Sequence, residues 1–251
     1  MTATDGLRRW LLPFFDPRPL VGIARLPGFF RDWLAFRRGA GAASAPFADL
    51  YPRLGDGTPA TPFDPHYFHQ GAWIARRLAA NPVALHVDVG SSVLTMSVAS
   101  ARTPIVFVDY RPLVVNVDGL LPIAGDVTRL PFANDSLASL SCLHVIEHIG
   151  LGRYGDPLDP AGSARAAAEL QRVVRPGGRL YLSTPVGRER VSFNAHRVFA
   201  VPTILGMLPK MTLASFALVD DSGAFRTTAP VEAAAGLEYG CGMFELVRAA
   251  A

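Results

Sequence analysis

The stretch Ala84-Leu85-His86-Val87-Asp88-Val89-Gly90-Ser91-Ser92 constrains the fold more than any other. A short β-rich run ends in an acid, then passes through a glycine turn into residues that can open a helix. Central parallel strands look like this, because both faces are buried and the chain must turn at once into a crossover. In open α/β sheets the ligand sits beyond the carboxyl ends of the strands, where the strand order reverses. A first strand here puts Asp88 and Gly90 at the floor of a binding crevice.

From His66 onward the pattern is regular. Tyr67 to Ala80 has helical spacing, with Phe68, Ala72, Ala75 and Leu78 on one side, and Asn81-Pro82 ends it. Strands are expected at 84–89, 104–109, 121–125, 137–143, 179–183, 213–219 and 242–247, and helices at 93–101, 161–174 and 198–207. Pro176-Gly177-Gly178 stops the helix at 161–174. Strands alternating with helices imply a mostly parallel sheet with right-handed crossovers. The last two strands lack a clear helix between them, which predicts one antiparallel strand at the C-terminal edge.

Residues 1–60 differ in character from residues 61–251 and are read as a separate arm and linker. Arg8, Arg9, Arg18, Arg25, Arg31, Arg37 and Arg38 alternate with Trp10, Phe14, Phe15, Phe29, Phe30, Trp33 and Phe36. Pro13, Pro17, Pro19 and Pro27 keep helical pieces short, and the best of these is Phe29 to Arg38. Two roles fit: the aromatics pack on the chain's own domain, or the arm lies peripherally on an anionic membrane surface. A net charge of +3, dispersed over the chain, does not argue for nucleic acid. Cys142 and Cys241 form no disulfide framework and fit a reducing cytoplasm. No run of about 18 apolar residues predicts a membrane span, and no secretory signal is expected.

Asp109 ends the second expected strand, 21 positions after Asp88. A carboxylate about 20 residues past a glycine turn is placed to accept hydrogen bonds from ribose hydroxyls. Gly125-Asp126-Val127 follows the third strand, where Asp126 can reach a base edge and Val127 can pack on its face. Both acids also suit ordinary strand-end turns.

This order of motifs resembles the class I S-adenosylmethionine (SAM)-dependent methyltransferases. The matching pieces are Val87 to Gly90, Val108-Asp109, Gly125 to Val127, Leu130-Pro131-Phe132, Leu143 to Ile149 and Leu170 to Pro185, the last containing Arg175-Pro176-Gly177-Gly178 before a hydrophobic strand. They span residues from about 66 to 248. Gly150 to Pro157 and Phe193 to Phe199 look like a bacterial branch of methyltransferase-like proteins, some associated with cell-surface polysaccharide synthesis. The resemblance implies a Rossmann-like, seven-stranded sheet with SAM in the crevice. Asp88, Gly90 and Ser91 would wrap the methionine part, Asp109 would hold the ribose, and Asp126 with Val127 would face the adenine. Leu143 and His144 would border the sulfonium. The family's turn is usually richer in glycine; here Ser91 and Ser92 follow Gly90, either donating to the ligand's carboxylate or capping the next helix.

His144, Glu147 and His148 spell the inverted zinc-protease pattern, which on a helix would place two imidazoles one turn apart. The segment follows a strand directly, so no metal is assigned and an acid–base role is preferred: His144, His148 and His196, assisted by Glu147, could take a proton from a methyl acceptor. The expected partner is a small-molecule or glycan acceptor. A binding or scaffold protein built on the same fold, and a metal-dependent hydrolase, are the alternatives.

Overall fold

A computed structural model of the chain describes residues 22–39, 45–111 and 113–249. Two compact units emerge, Met1–Phe63 and Asp64–Ala251. Arg8, Arg9, Trp10, Pro13, Phe14, Phe15, Pro17, Arg18, Pro19 and most of the 40–45 linker lie outside the described residues.

In the first unit, helix α1 (Leu26–Arg38) starts with Pro27 in its first turn and ends with Arg37 and Arg38, which suit its negative C-terminal pole. Its aromatics meet within the unit. Phe30 stacks on Phe47 at 6.5 Å, Trp33 meets Phe47 edge-on at 6.1 Å, and the Trp33 indole N–H donates to Ala45 O at 2.8 Å.

In the second unit, Asp64 caps helix α2 (Pro65–Ala80), its carboxylate accepting from the His66 and Tyr67 N–H groups. Gln70, Trp73, Ile74 and Leu78 form its buried stripe, at the spacing one helical face requires. Then come β1 (His86–Val89), α3 (Val93–Ser100), β2 (Ile105–Asp109), β3 (Leu120–Ala124), β4 (Leu137–Leu143), α4 (Gly162–Val173) and β5 (Val174–Val186). The hairpin β6 (Arg190–Ser192) and β7 (His196–Val198), helix α5 (Val201–Met207), β8 (Met211–Val219), β9 (Phe225–Arg226) and β10 (Gly240–Arg248) complete it.

The main sheet runs β3-β2-β1-β4-β5-β10-β8-β9. Its order reverses between β1 and β4, which pair in parallel through Asp88 and Ser141. Alternation along the strands feeds two cores. Val87, Val89, Leu140, Cys142, Leu180 and Leu182 belong to one face, and Trp73, Phe107, Leu143, Tyr181 and Met243 to the other.

This is the expected Rossmann-like methyltransferase fold, with two differences in detail. The sheet has eight strands rather than seven, because the two-residue β9 pairs on β8. Two strands run antiparallel rather than one: β10 lies inside the sheet, between β5 and β8, and the short β9 pairs antiparallel on β8 at the edge. Its first seven residues are all buried, as an interior strand requires, whereas β8 alternates over its first half. The β6–β7 hairpin was not anticipated; it is too short to show a period. Among the described residues, the β2–β3 and β3–β4 connections carry no helix.

Candidate functional site

A crevice opens at the carboxyl ends of β1 to β4. Gly90, Asp109, Asp126, Val127, His144 and His148 line it, together with Tyr154 and Asp156 from the glycine-rich loop.

Gly90 forms the turn after β1 with φ +64 and donates its N–H to Val108 O at 2.8 Å. A Cβ there would come within 3.3 Å of Val145 Cγ2. Only this position needs a left-handed backbone; Ser91 and Ser92 do not, which is how the chain does without further glycines. Ser92 caps α3, its hydroxyl accepting from Thr95 N–H at 3.4 Å. Ser91 is buried, donates its hydroxyl to Asp88 Oδ1 at 2.6 Å, and accepts Leu143 N–H at 3.0 Å. Asp88 is fully buried and also receives Ser91 N–H and the Ser141 hydroxyl. Neither Asp88 nor Ser91 lines the crevice; they hold the turn from beneath. Burial pushes the Asp88 carboxyl up to about 6, against its hydrogen bonds from Ser141 and Ser91. Leu143 is likewise a core residue, 1 % exposed.

Asp109 ends β2 and Asp126 follows β3, and both line the crevice. Asp109 Oδ1 accepts Arg111 N–H at 2.8 Å, and Asp126 Oδ1 accepts both the N–H and the hydroxyl of Thr128 at 2.7 Å. Val127 is buried beside them.

The His-Val-Ile-Glu-His segment is a series of turns, not a helix. His144 leaves β4 with φ +55, so the one-turn pairing of His144 and His148 expected of a zinc-protease helix does not form. Glu147, fully buried, becomes the centre. Its Oε1 lies 2.9 Å from His144 Nδ1 and 3.8 Å from His148 Nε2. Oε1 has no aligned hydrogen bond among the described residues, so charge holds His144 to it, while His148, lowered by burial, is a near neighbour rather than an ion-pair partner. Burial disfavours charge on His144, yet Cys241 and Glu147 more than offset it and hold this imidazole well above its usual range. The opposing charge of His144 draws Glu147 below the usual carboxylate range despite burial. His148 is lowered, chiefly by burial, and its Nδ1 is 2.7 Å from Ala195 O, fixing the ring with Nδ1–H as donor.

His196, on β7, does not line the crevice. Its ring sits 5.1 Å from Tyr239, which stacks on His66 at 5.3 Å, and His66 lies 5.8 Å from His144. Sequence reasoning passed over His66, Tyr239 and Cys241 as site residues. Cys241 Sγ is 3.2 Å from His144 Nε2, brought there by the interior position of β10. Tyr110, Arg111 and Thr128, one or two residues past the acids, also line the crevice; their place beyond strand ends was the available signal.

The Gly150–Pro157 motif owes its glycines to backbone demands: a Cβ on Gly150, at φ +79, would collide with Asp159 O. Tyr154 in this loop has Arg111 at 4.5 Å and Arg153 at 5.1 Å over its ring, and meets His148 edge-on at 5.6 Å. Arg197, by contrast, is buried and donates to Ile149 O, and Arg188 pairs with Glu238.

A family model described as Caenorhabditis protein of unknown function, DUF268, matches residues 126–234. No curated protein matches the chain. Among solved structures, a putative sarcosine dimethylglycine methyltransferase from Galdieria sulphuraria aligns at TM-score 0.53 with 12% identity, covering 72% of this chain and 86% of that one. The N-methyltransferase NodS from Bradyrhizobium japonicum WM9, in complex with S-adenosyl-L-homocysteine (SAH), aligns at 0.51 with 11% identity over 78% and 91%. The cyclase SpnF aligns at 0.52 with 13% identity over 73% and 82%. These establish the methyltransferase fold.

Proposed function

We propose that this chain binds SAM in the crevice and directs transfer of its methyl group to a small-molecule or glycan acceptor. The observation that carries the reading is the joint placement of Asp109 and Asp126 at adjacent strand ends, facing the crevice that the side-chain-free turn at Gly90 opens. The fit is favourable: two carboxylates for hydroxyl and amine donors, Val127 for an apolar ring face, and no Cβ at the closest backbone approach. SAM would supply an electrophilic methyl on a sulfonium, taken by direct displacement. The chain would align the acceptor and remove its proton. His148 suits the proton role, because burial keeps it neutral near pH 7 and Ala195 O fixes its tautomer, leaving Nε2 as acceptor. His144, paired with Glu147 and raised in pKa by it and Cys241, is the poorer base of the two. His196, away from the crevice wall, acts on neither ligand directly.

The test is calorimetry of the full chain with SAM and SAH. Both should bind, and Asp109→Ala should weaken SAH by about 10- to 100-fold, the worth of a hydrogen bond to a charged group. No heat from either ligand on folded protein would sink this reading. A second reading, a binding protein with an altered ligand, draws on the Asp88–Ser91 pair: groups expected to meet the methionine part are engaged with one another. SAM and SAH binding with the expected Asp109 dependence would remove it.

A further inference from the structure

His66, His144 and Cys241 converge from three places far apart in sequence: the first turn of α2, the exit of β4 and the start of β10. One donor atom from each lies within 4.8 Å of the others. The geometry points to a mononuclear site for a zinc-class cation held by these three side chains. It takes His144 from the His-Val-Ile-Glu-His segment but pairs it with His66 and Cys241 rather than His148, and it does not depend on SAM binding.

Donor chemistry selects the ion. One sulfur and two imidazole nitrogens form a borderline-soft set that suits zinc and excludes magnesium and calcium, which take oxygen. Zinc–sulfur bonds near 2.3 Å and zinc–nitrogen bonds near 2.0 Å put tetrahedral N and S donors about 3.5 Å apart. The His144 Nε2 to Cys241 Sγ separation is 3.2 Å, so that edge already has nearly the right length. The remaining donors need to close by an ångström or so.

The surroundings suit a cation. Cys241 is 0 % exposed, so its sulfur has no route to an outside substrate; a nucleophilic Cys–His pair would need one. Glu147 sits at the far nitrogen of His144, 2.9 Å away and fully buried. A carboxylate behind a ligating histidine orients the ring and strengthens it as a donor. Its Oε1 lacks a hydrogen bond among the described residues, and a buried carboxylate in that state is stabilised by positive charge nearby. Tyr239, stacked on His66 at 24° between planes, limits that ring's swing. Three protein donors leave a fourth tetrahedral position, the arrangement of zinc sites that take a water or a substrate atom. Because His144 also lines the crevice, the ion would border it.

The test uses the untagged full chain under a non-chelating reductant. Zinc chloride is added, excess is removed, and metal is counted by elemental analysis; cobalt chloride is used in parallel. One zinc per chain is expected, and the cobalt form should show thiolate-to-cobalt charge-transfer absorption. Cys241→Ser should abolish that band, His66→Ala should weaken zinc strongly, and Glu147→Gln should weaken it by about 10- to 100-fold. Cys142→Ala should leave band and stoichiometry unchanged. Circular dichroism confirms folding, and His66, at a helix start and only half-buried, provides a ligand variant should Cys241→Ser not fold. Absence of retained zinc, or zinc held equally well by folded Cys241→Ser or His66→Ala, overturns the site.

Discussion

Gly90 and His144 occupy the same backbone conformation at the ends of neighbouring strands, with φ +64 after β1 and +55 after β4. Glycine enters that region freely, whereas any L side chain is strained by roughly 1–2 kcal/mol. The β1 turn thus uses the residue that suits its shape, and the β4 turn does not. The polar groups beneath the two turns differ in the same sense. Asp88, Ser91 and Ser141 satisfy one another, with His86 joined through Ser141 at 2.8 Å and Ser139 at 2.7 Å. Glu147 keeps an oxygen without a hydrogen bond, and His144 faces both Cys241 and the crevice. A closed buried network specifies a fold; strain and an incomplete network at a cleft mark a place kept for its side chains.

The largest effect should come from the closed network. Asp88→Ala leaves the Ser91 N–H and two buried hydroxyls without their acceptor, and each such loss costs about 1–3 kcal/mol. A destabilisation of about 3 kcal/mol or more in urea melts is expected. A loss under about 1 kcal/mol would mean that the turn does not rest on Asp88.

Acidity sharpens the same point. Burial raises the folded Asp88 pKa from 3.8 to about 6, so folding favours the protonated acid. Its contribution is fully present below about pH 4 and is lost as pH rises through about 6, a swing on the order of 3 kcal/mol. His86 acts oppositely: burial lowers it from 6.5 to about 3, so its contribution holds above pH 6.5 and is lost as pH falls toward 3. Urea midpoints of wild type and Asp88→Asn between pH 4 and pH 6.5 separate the two. The wild-type advantage should shrink as pH rises, and a constant difference would remove Asp88 from the titration.

Much of this architecture was legible in sequence. Strand-end acids announce themselves locally, so Asp109 and Asp126 could be placed at a crevice from spacing and turn chemistry alone. The interior of the β1 turn was not legible, because nothing local says that Ser91 faces Asp88 rather than a ligand. The same limit hid His66 and Cys241, which meet His144 only because β10 inserts between β5 and β8. His-Val-Ile-Glu-His has spacing that fits a helix, but its position directly after a strand argues against one, and the left-handed step at His144 is the physical reason.

A smaller effect tests the conformation of the first turn. Gly90→Ala adds a Cβ at φ +64 and 3.3 Å from Val145 Cγ2, which should cost about 1–2 kcal/mol in the same melts. An unchanged stability would show that the turn relaxes to negative φ.

The smallest expected effect isolates the strain at His144. Simple removal of the imidazole confounds two things, because it also leaves Glu147 buried without its cation. His144→Gly and His144→Ala share that loss and differ only in backbone preference. In ordinary strand or helix backbone, alanine is the more stable of the two by about 0.5–1 kcal/mol. At a left-handed position the order reverses, and the glycine variant should be the more stable by about 1 kcal/mol. That reversal would show that the turn is held from outside residue 144, by the His144 N–H to Ser183 O bond at 2.9 Å and the packing of Ile146, while the imidazole is carried at a cost in strain. The usual order would mean that His144 itself bends the chain, and the contrast with Gly90 would then be one of cause rather than of side-chain chemistry.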